Sequence, residues 1–374
     1  MSLRRAALGL LAPVTALAFS LLVATLALLL VGIDPILAFT EMAKFSASLP
    51  SFVSIVNRAV PLFVSGLAVA VGFKMGLFNI GVEGQYLIAA VIAAYVGALL
   101  ALPPPIHVAA VLVVAMAVGA FWAGIAGVLK VRRGVHEVIS TIMLNFIAIG
   151  LVAWLLSNYF REDEPQALSI RTPELPPSGR FPSLNPLLEA LGLEIRAGSD
   201  LQGFVVLAAL LGVFYYLLVW RSRFGFELRA SGLNPAAARV SGVDPRAMVI
   251  KTMLLSGAIA GLVAMSPLLG SFHRYTQDFP TQLGFVGIAV ALLGRNHPVG
   301  IALGALLFGL MDRSAQILDL RDIPREIVII IQGVVVLAVV IAYEMVTRLI
   351  LQQEIKAAAG TTEEADHQRE AVSA

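Results

Sequence analysis

Long apolar runs separated by short polar breaks dominate this chain. A helix needs about 20 apolar residues to cross a bilayer, and candidate runs fall at 9–32, 56–73, 86–102, 107–129, 138–159, 202–220, 250–269, 284–294, 299–311 and 327–347. The pattern predicts an all-α, polytopic membrane protein with about ten transmembrane helices, including short or broken ones. The runs at 284–294 and 299–311 are the short ones, and they read as one broken or hairpin-like unit around Arg295-Asn296-His297-Pro298. The first run follows Arg4 and Arg5, exceeds a signal-peptide core in length, and precedes Asp34-Pro35 without a small-x-small cleavage site. It reads as a retained first helix.

Composition supports this class. Of 374 residues, 59% are apolar and 13% charged, about half the charge of a soluble domain. The net charge of +2 gives no reason to expect nucleic acid as a partner. Lys and Arg are sorted by loop, with dense clusters at 130–133 and 221–251. The excess of basic residues on the cytoplasmic side puts both clusters, and both termini, in the cytoplasm. Residues 161–200, rich in Pro, then form an extracytoplasmic loop, and 221–249 a basic cytoplasmic one. Neither is large enough for a globular catalytic domain, so 1–350 reads as one transmembrane domain. The polar tail, 351–374, reads as disordered.

The chain has no cysteine and five scattered histidines, which excludes disulfides and thiol chemistry and leaves no metal centre in view. No G-x-x-x-x-G-K-[ST] occurs, so ATP is not bound through a P-loop. Nor do buried acids run along the helices as in proton-coupled carriers. Driven transport would need another subunit.

The breaks carry the polar chemistry. GFKMGLFNIGVEGQ (72–85) holds four glycines among Asn79, Glu83 and Gln85. It reads either as a cytoplasmic turn or as irregular backbone beside a water-filled path, since hydrocarbon tolerates neither unpaired amides nor exposed polar groups. A second interruption lies at 281–300, and paired breaks in two halves of a transporter point to a substrate path. In 136–150, Glu137, Thr141 and Asn145 recur every four residues with Ser140 beside them, on one helical face. Such a stripe lines a cavity or bonds a neighbouring helix; the Asn and Glu favour a cavity. Between 227 and 247, Asn234 suits an N-cap, Pro235 the first helical position and Gly242 the end, which predicts a two-turn helix able to dock in a partner's groove.

GLFNIGVEGQYLIAA, HEVISTIMLNFIAIGL, GLNPAAARVSGVD and GFVGIAVALLGRNHPVGI, in this order, resemble the permease subunits of bacterial ATP-binding cassette importers. The similarity runs from about 56 to 345 and is closest to the nucleoside and simple-sugar branch of the branched-chain amino acid/ribose/nucleoside permeases. It implies a non-enzymatic transport subunit in the bacterial cytoplasmic membrane. Its partners would be a second permease, cytoplasmic ATPases that bind ATP and magnesium, and an extracytoplasmic substrate-binding protein. It implies that Phe78, Asn79, Glu83, Gln85, Glu137, Ser140, Thr141 and Asn145 border the path. Asn234, Pro235, Ala238, Arg239 and Gly242 would couple to the ATPase. His136 departs from the family pattern, in which Asn often precedes Glu137-Val138. The alternative is an ion-coupled secondary transporter of a small polar solute, which would need intramembrane carboxylates and no docking helix.

Overall fold

The computed structural model describes residues 18–348, apart from 20, 27, 31, 47, 163–168, 191, 193–199, 320–327, 335–336, 339–340, 342–344 and 346–347. The expected tail at 351–374 lies outside the described residues, as does about half of the run at 327–347. The chain divides into two units, Met1–Thr40 with Leu318–Ala374, and Glu41–Ile317. In the first, the described residues at 21–26, 28–30, 35–40 and 328–334 are helical. The sites below lie in the second.

That second unit is built from α1 (Leu49–Phe73), α2 (Val82–Leu99), α3 (Ile106–Arg133), α4 (Glu137–Asn158), α5 (Phe204–Tyr216), α6 (Arg223–Leu233), α7 (Pro235–Val240), α8 (Pro245–Gly261), α9 (Leu283–Leu293) and α10 (Pro298–Asp319). The only β-pairing among the described residues is two isolated bridges, Arg171 with Thr276 and Ser183 with Gln202. Among the described residues, seven helices are long and apolar enough to span a membrane: α1 to α4, α5 extended by a π turn to Arg221, α8 extended to Phe272, and α10. The pair Leu21–Leu30 and Pro35–Lys44 makes an eighth if it counts as one span.

The expected hairpin is present, with different arms. Helix α9 has 11 residues, about 16 Å, half of a hydrocarbon core about 30 Å thick. Arg295 and Asn296 both take left-handed conformations in the turn (φ 55° and 54°), and α10 then leads away. The sequence reading ended this arm at 311, before the charges. The helix continues because Asp312 pairs with Arg58 of α1 and Ser314 is buried. Helix α1 likewise begins earlier than its apolar run, at a Ser48 N-cap that accepts from Ser51 N.

Helices α3 and α8 pack backbone against backbone. Ala115, Gly119 and Ala123 face Gly257 and Gly261, so the backbones touch: a Cβ on Gly257 would meet the Gly119 carbonyl and the Ala123 methyl. Small residues every fourth position give membrane helices this approach, which dispersion and packing then reward. Gly257→Val must push α8 off α3. Overpacking of this kind costs about 1–3 kcal/mol or more, so the purified variant should melt several degrees below the wild type in a detergent thermal-shift assay.

Candidate functional site: the break between α1 and α2

Helix α1 is C-capped by Lys74, and the chain reverses through Gly76, whose φ of +72° is open to glycine without strain. The reversal is held by Met75 N and Leu77 N, which both donate to Gly72 O (2.9 and 3.0 Å). The segment then turns back into the bundle. Asn79 Nδ2 donates to Ser256 Oγ of α8 (2.8 Å), and that hydroxyl donates to Ala68 O of α1 (2.6 Å). Asn79 therefore lies beside a residue five positions before the end of α1, about 8 Å back along its axis. The break is re-entrant rather than a surface turn.

Its buried polar side chains are all hydrogen-bonded. Asn79 and Gln85 pair amide to amide (3.0 and 2.9 Å), and Asn79 Oδ1 also accepts from Gly81 N (3.1 Å). Asn145 of α4 accepts from Gly84 N at the start of α2 (2.9 Å) and donates to Ile80 O (2.9 Å). One side chain thus satisfies an orphan donor of a helix end and a loop carbonyl. Glu83 repeats the device for α9. Its Oε1 accepts from Gln282 N (2.7 Å) and lies 3.0 Å from the Tyr86 hydroxyl, and its Oε2 accepts from Gly284 N (2.8 Å). A carboxylate from α2 therefore caps the half-length helix α9, where the positive end of the helix dipole favours negative charge.

The predicted polar stripe on α4 faces protein. Glu137, Ser140, Thr141 and Asn145 are buried, while Ile139, Met143, Phe146 and Ile147 are exposed. Glu137 pairs with Lys130 (2.5 Å) and lies 3.5 Å from Phe78 N. Ser140 and Thr141 bond back to the Glu137 carbonyl (3.1 and 2.7 Å). His136 caps the helix, accepting from Val138 N through Nδ1 (3.4 Å). Of the eight path residues expected from sequence, seven are buried and satisfied within the chain. Phe78 alone is half exposed, at 50%, with its ring against Phe73.

Sequence reasoning missed Ser256, Tyr86, Lys130 and the Gln282–Gly284 amides. Tyr86 could have been found from its i,i+3 spacing to Glu83. The left-handed Gln282 (φ 70°), which presents the α9 amides to Glu83, leaves no mark in the sequence. Asn145→Leu should strand Gly84 N and Ile80 O. Each buried group left unpaired costs about 1–3 kcal/mol, so the variant should be several kcal/mol less stable to denaturant in detergent, whereas Ser140→Ala should be nearly neutral.

Next to the break lies the predicted short helix, α7. Asn234 Oδ1 accepts from Ala236 N and Ala237 N (both 3.0 Å). Past the end, Gly242 is left-handed (φ 82°) with Gly242 N on Arg239 O and Val243 N on Ala238 O. Ala238 packs inward, while Leu233 and Val240 at either end are 88% and 92% exposed. The loop rests on the break itself: a Cβ on Gly232 would strike the Met75 backbone at 2.7 Å, and Thr252 Oγ1 lies 3.0 Å from Met75 Sδ. Met75, Gly76, Lys130, Pro235, Arg239 and Arg246 line a cavity of about 520 Å³ between α7 and the break. Lys74 sits over the Trp220 ring (5.0 Å to its centroid). Burial, with Arg229 and Arg295 nearby, holds its pKa below the usual lysine value. Among the described residues no three His, Asp or Glu side chains are grouped to hold a metal.

Comparisons with known proteins agree with this architecture. Residues 51–340 match the family described as branched-chain amino acid transport system / permease component. The guanosine ABC transporter permease protein NupP of Bacillus subtilis is 38% identical over 290 residues, covering 77% of this chain and 80% of that one. The glucose ABC transporter permease protein TsgB13 of Haloferax volcanii is 32% identical over 87% of this chain and 85% of its own. The nucleoside ABC transporter permease protein NupB of Lactococcus lactis is 29% identical over 94% and 96%. A second guanosine permease protein of the same Bacillus, NupQ, is 24% identical over 71% of this chain. No solved structure matches. The seven membrane-length helices and the match over residues 51–340 together make this chain a multi-pass membrane protein that belongs to the ABC transport permease family.

Proposed function

We propose that the chain is one permease subunit of an ATP-driven importer in a bacterial cytoplasmic membrane, carrying a nucleoside or a simple sugar. Helix α7 carries this reading: it is capped at both ends, exposes Val240, follows the exposed Leu233 of α6, and is joined to the break through Gly232 of α6. A rigid two-turn helix so placed can receive a push from an ATPase and pass it to Met75. ATP and magnesium then belong to partner ATPases, since no P-loop occurs in this sequence. The basic residues around α7 support a cytoplasmic position for that end of the bundle, and the excess of basic residues in the same set of loops supports it for both termini. The names of the relatives support the solute class, and the paired NupP and NupQ of one organism support a second, different permease. A substrate-binding protein would deliver the solute from outside.

Along the path, Phe78 meets the solute, and Asn79, Glu83, Gln85, Glu137, Ser140, Thr141 and Asn145 fix the shape of the wall behind it. The ion-coupled alternative loses its candidates for a proton site, because Glu83 and Glu137 each hold structural partners. The test is competition for uptake in cells carrying the chain with its ATPase, companion permease and binding protein. Unlabelled guanosine or glucose should suppress labelled uptake, and leucine should not. Suppression by leucine alone would contradict the solute assignment.

A further inference from the structure

A second cavity, of about 500 Å³, opens at the end of the bundle opposite α7. Its wall residue Asn57 on α1 and the last residue of that helix, Phe73, are sixteen positions apart, about 24 Å along the axis. Ser54 and Asn57 of α1 contribute to it, with Asp200 and Gln202 from the segment before α5, His273 just past the π turn that ends the α8 span, and Arg313 of α10. Four separate parts of the chain thus converge on a volume within the range of small-molecule sites, about 300–1,000 Å³.

The frame of this cavity is held by its own hydrogen bonds. Asn57 Nδ2 donates to Asp200 O (2.8 Å) and Asn57 Oδ1 accepts from Gln202 N (3.1 Å), which fixes the 200–202 segment against α1. Gln202 Oε1 accepts from the buried Ser266 hydroxyl beneath (2.7 Å). His273 Nδ1 is buried and has no protein partner among the described residues. Buried polar atoms in native proteins are paired as a rule, so this one asks for a partner from outside the chain.

The lining also selects by charge. Asp200 and Arg313 offset each other. Burial, with Arg180 and Arg274 nearby and Glu174 opposing them, holds the His273 pKa below the usual imidazole value. Hydroxyl, amide and imidazole groups supply both donors and acceptors, which adjacent hydroxyls of a sugar use in both directions. Pro50 and Val53 add an apolar wall. We infer that this cavity binds the transported solute on the side away from α7, and that it selects a neutral molecule with adjacent hydroxyls, a monosaccharide or the ribose of a nucleoside. The inference rests on the permease function proposed above.

The absence of cysteine makes the test clean. Ser54→Cys in the cavity and Ser169→Cys, exposed on the loop after α4, would be introduced singly into the full complex in proteoliposomes. Both are treated with a membrane-impermeant methanethiosulfonate reagent, with guanosine, glucose or leucine present. At ten times its half-saturating concentration, the recognised solute should slow modification of Ser54→Cys about tenfold, with leucine inert and Ser169→Cys unprotected. Modified Ser54→Cys should then lose uptake. If the thiol is unprotected while ATP-driven uptake of guanosine or glucose proceeds, the cavity is not the site and the permease function stands. If protection holds while uptake needs no ATP, the cavity stands and the importer reading fails.

Discussion

Replacing Glu83 with leucine should leave α9 without its cap and give a protein that accumulates in the membrane at a much reduced level. Glu83 is 2% exposed, and its two oxygens receive Gln282 N and Gly284 N. Leucine strands both amides where no water replaces the bonds. At about 1–3 kcal/mol each, the loss is roughly 2–6 kcal/mol, against a total stability of about 5–15 kcal/mol. Glu83→Gln keeps one acceptor but turns an NH₂ group toward a donor, and should fall between, at about 1–3 kcal/mol. Melting temperature in detergent should follow Glu, Gln, Leu in descending order. Uptake per folded molecule should survive in the Gln variant. A proton-coupling role predicts the reverse pattern for Glu83→Gln: wild-type melting and no transport.

The second large effect is expected at the surface. Val240 is 92% exposed and makes no demand on the fold, so Val240→Asp should change the stability of this chain by no more than about 0.5 kcal/mol. If α7 seats its apolar end in an ATPase groove, the same change buries an unpaired carboxylate there, which is strongly unfavourable. ATPase subunits should then no longer co-purify with the variant, and uptake should fall to background although membrane level and melting temperature are unchanged. Co-purification at wild-type yield would remove α7 from the interface.

Together these two residues trace one mechanical route. Helix α7 follows α6, whose Gly232 lies on the Met75 backbone. Met75 opens the break, and six residues after the break's Leu77 the chain reaches Glu83, which holds α9. At Gly232 the α6 backbone meets Met75 without a gap, so a push on α6 and α7 would be passed to the break at that point.

Much of this was legible in the sequence. The apolar runs gave most of the spans, and the Asn234, Pro235 and Gly242 pattern gave α7 with both caps, because these signals are local. The stripe of Glu137, Thr141 and Asn145 was also visible as one face. What it faces was not, because a polar face toward water and one toward a neighbour's helix end have the same period. The choice depends on whether orphan amides lie opposite, and those of Gly84 and Gln282 exist only after the chain reverses at Gly76 and takes a left-handed turn at Gln282. The end of α10 was missed for a similar reason: the pair that carries it past Asp312 comes from Arg58, distant in sequence.

The most direct measurement is uptake of labelled guanosine and glucose into proteoliposomes containing the chain with its companion permease, ATPase and binding protein. ATP would be supplied on the α7 side, in parallel with an ATPase disabled in its P-loop and with ion gradients collapsed. The account predicts uptake that requires ATP and the intact ATPase and is indifferent to ion gradients. Uptake that persists with the disabled ATPase and disappears with the gradient would contradict it.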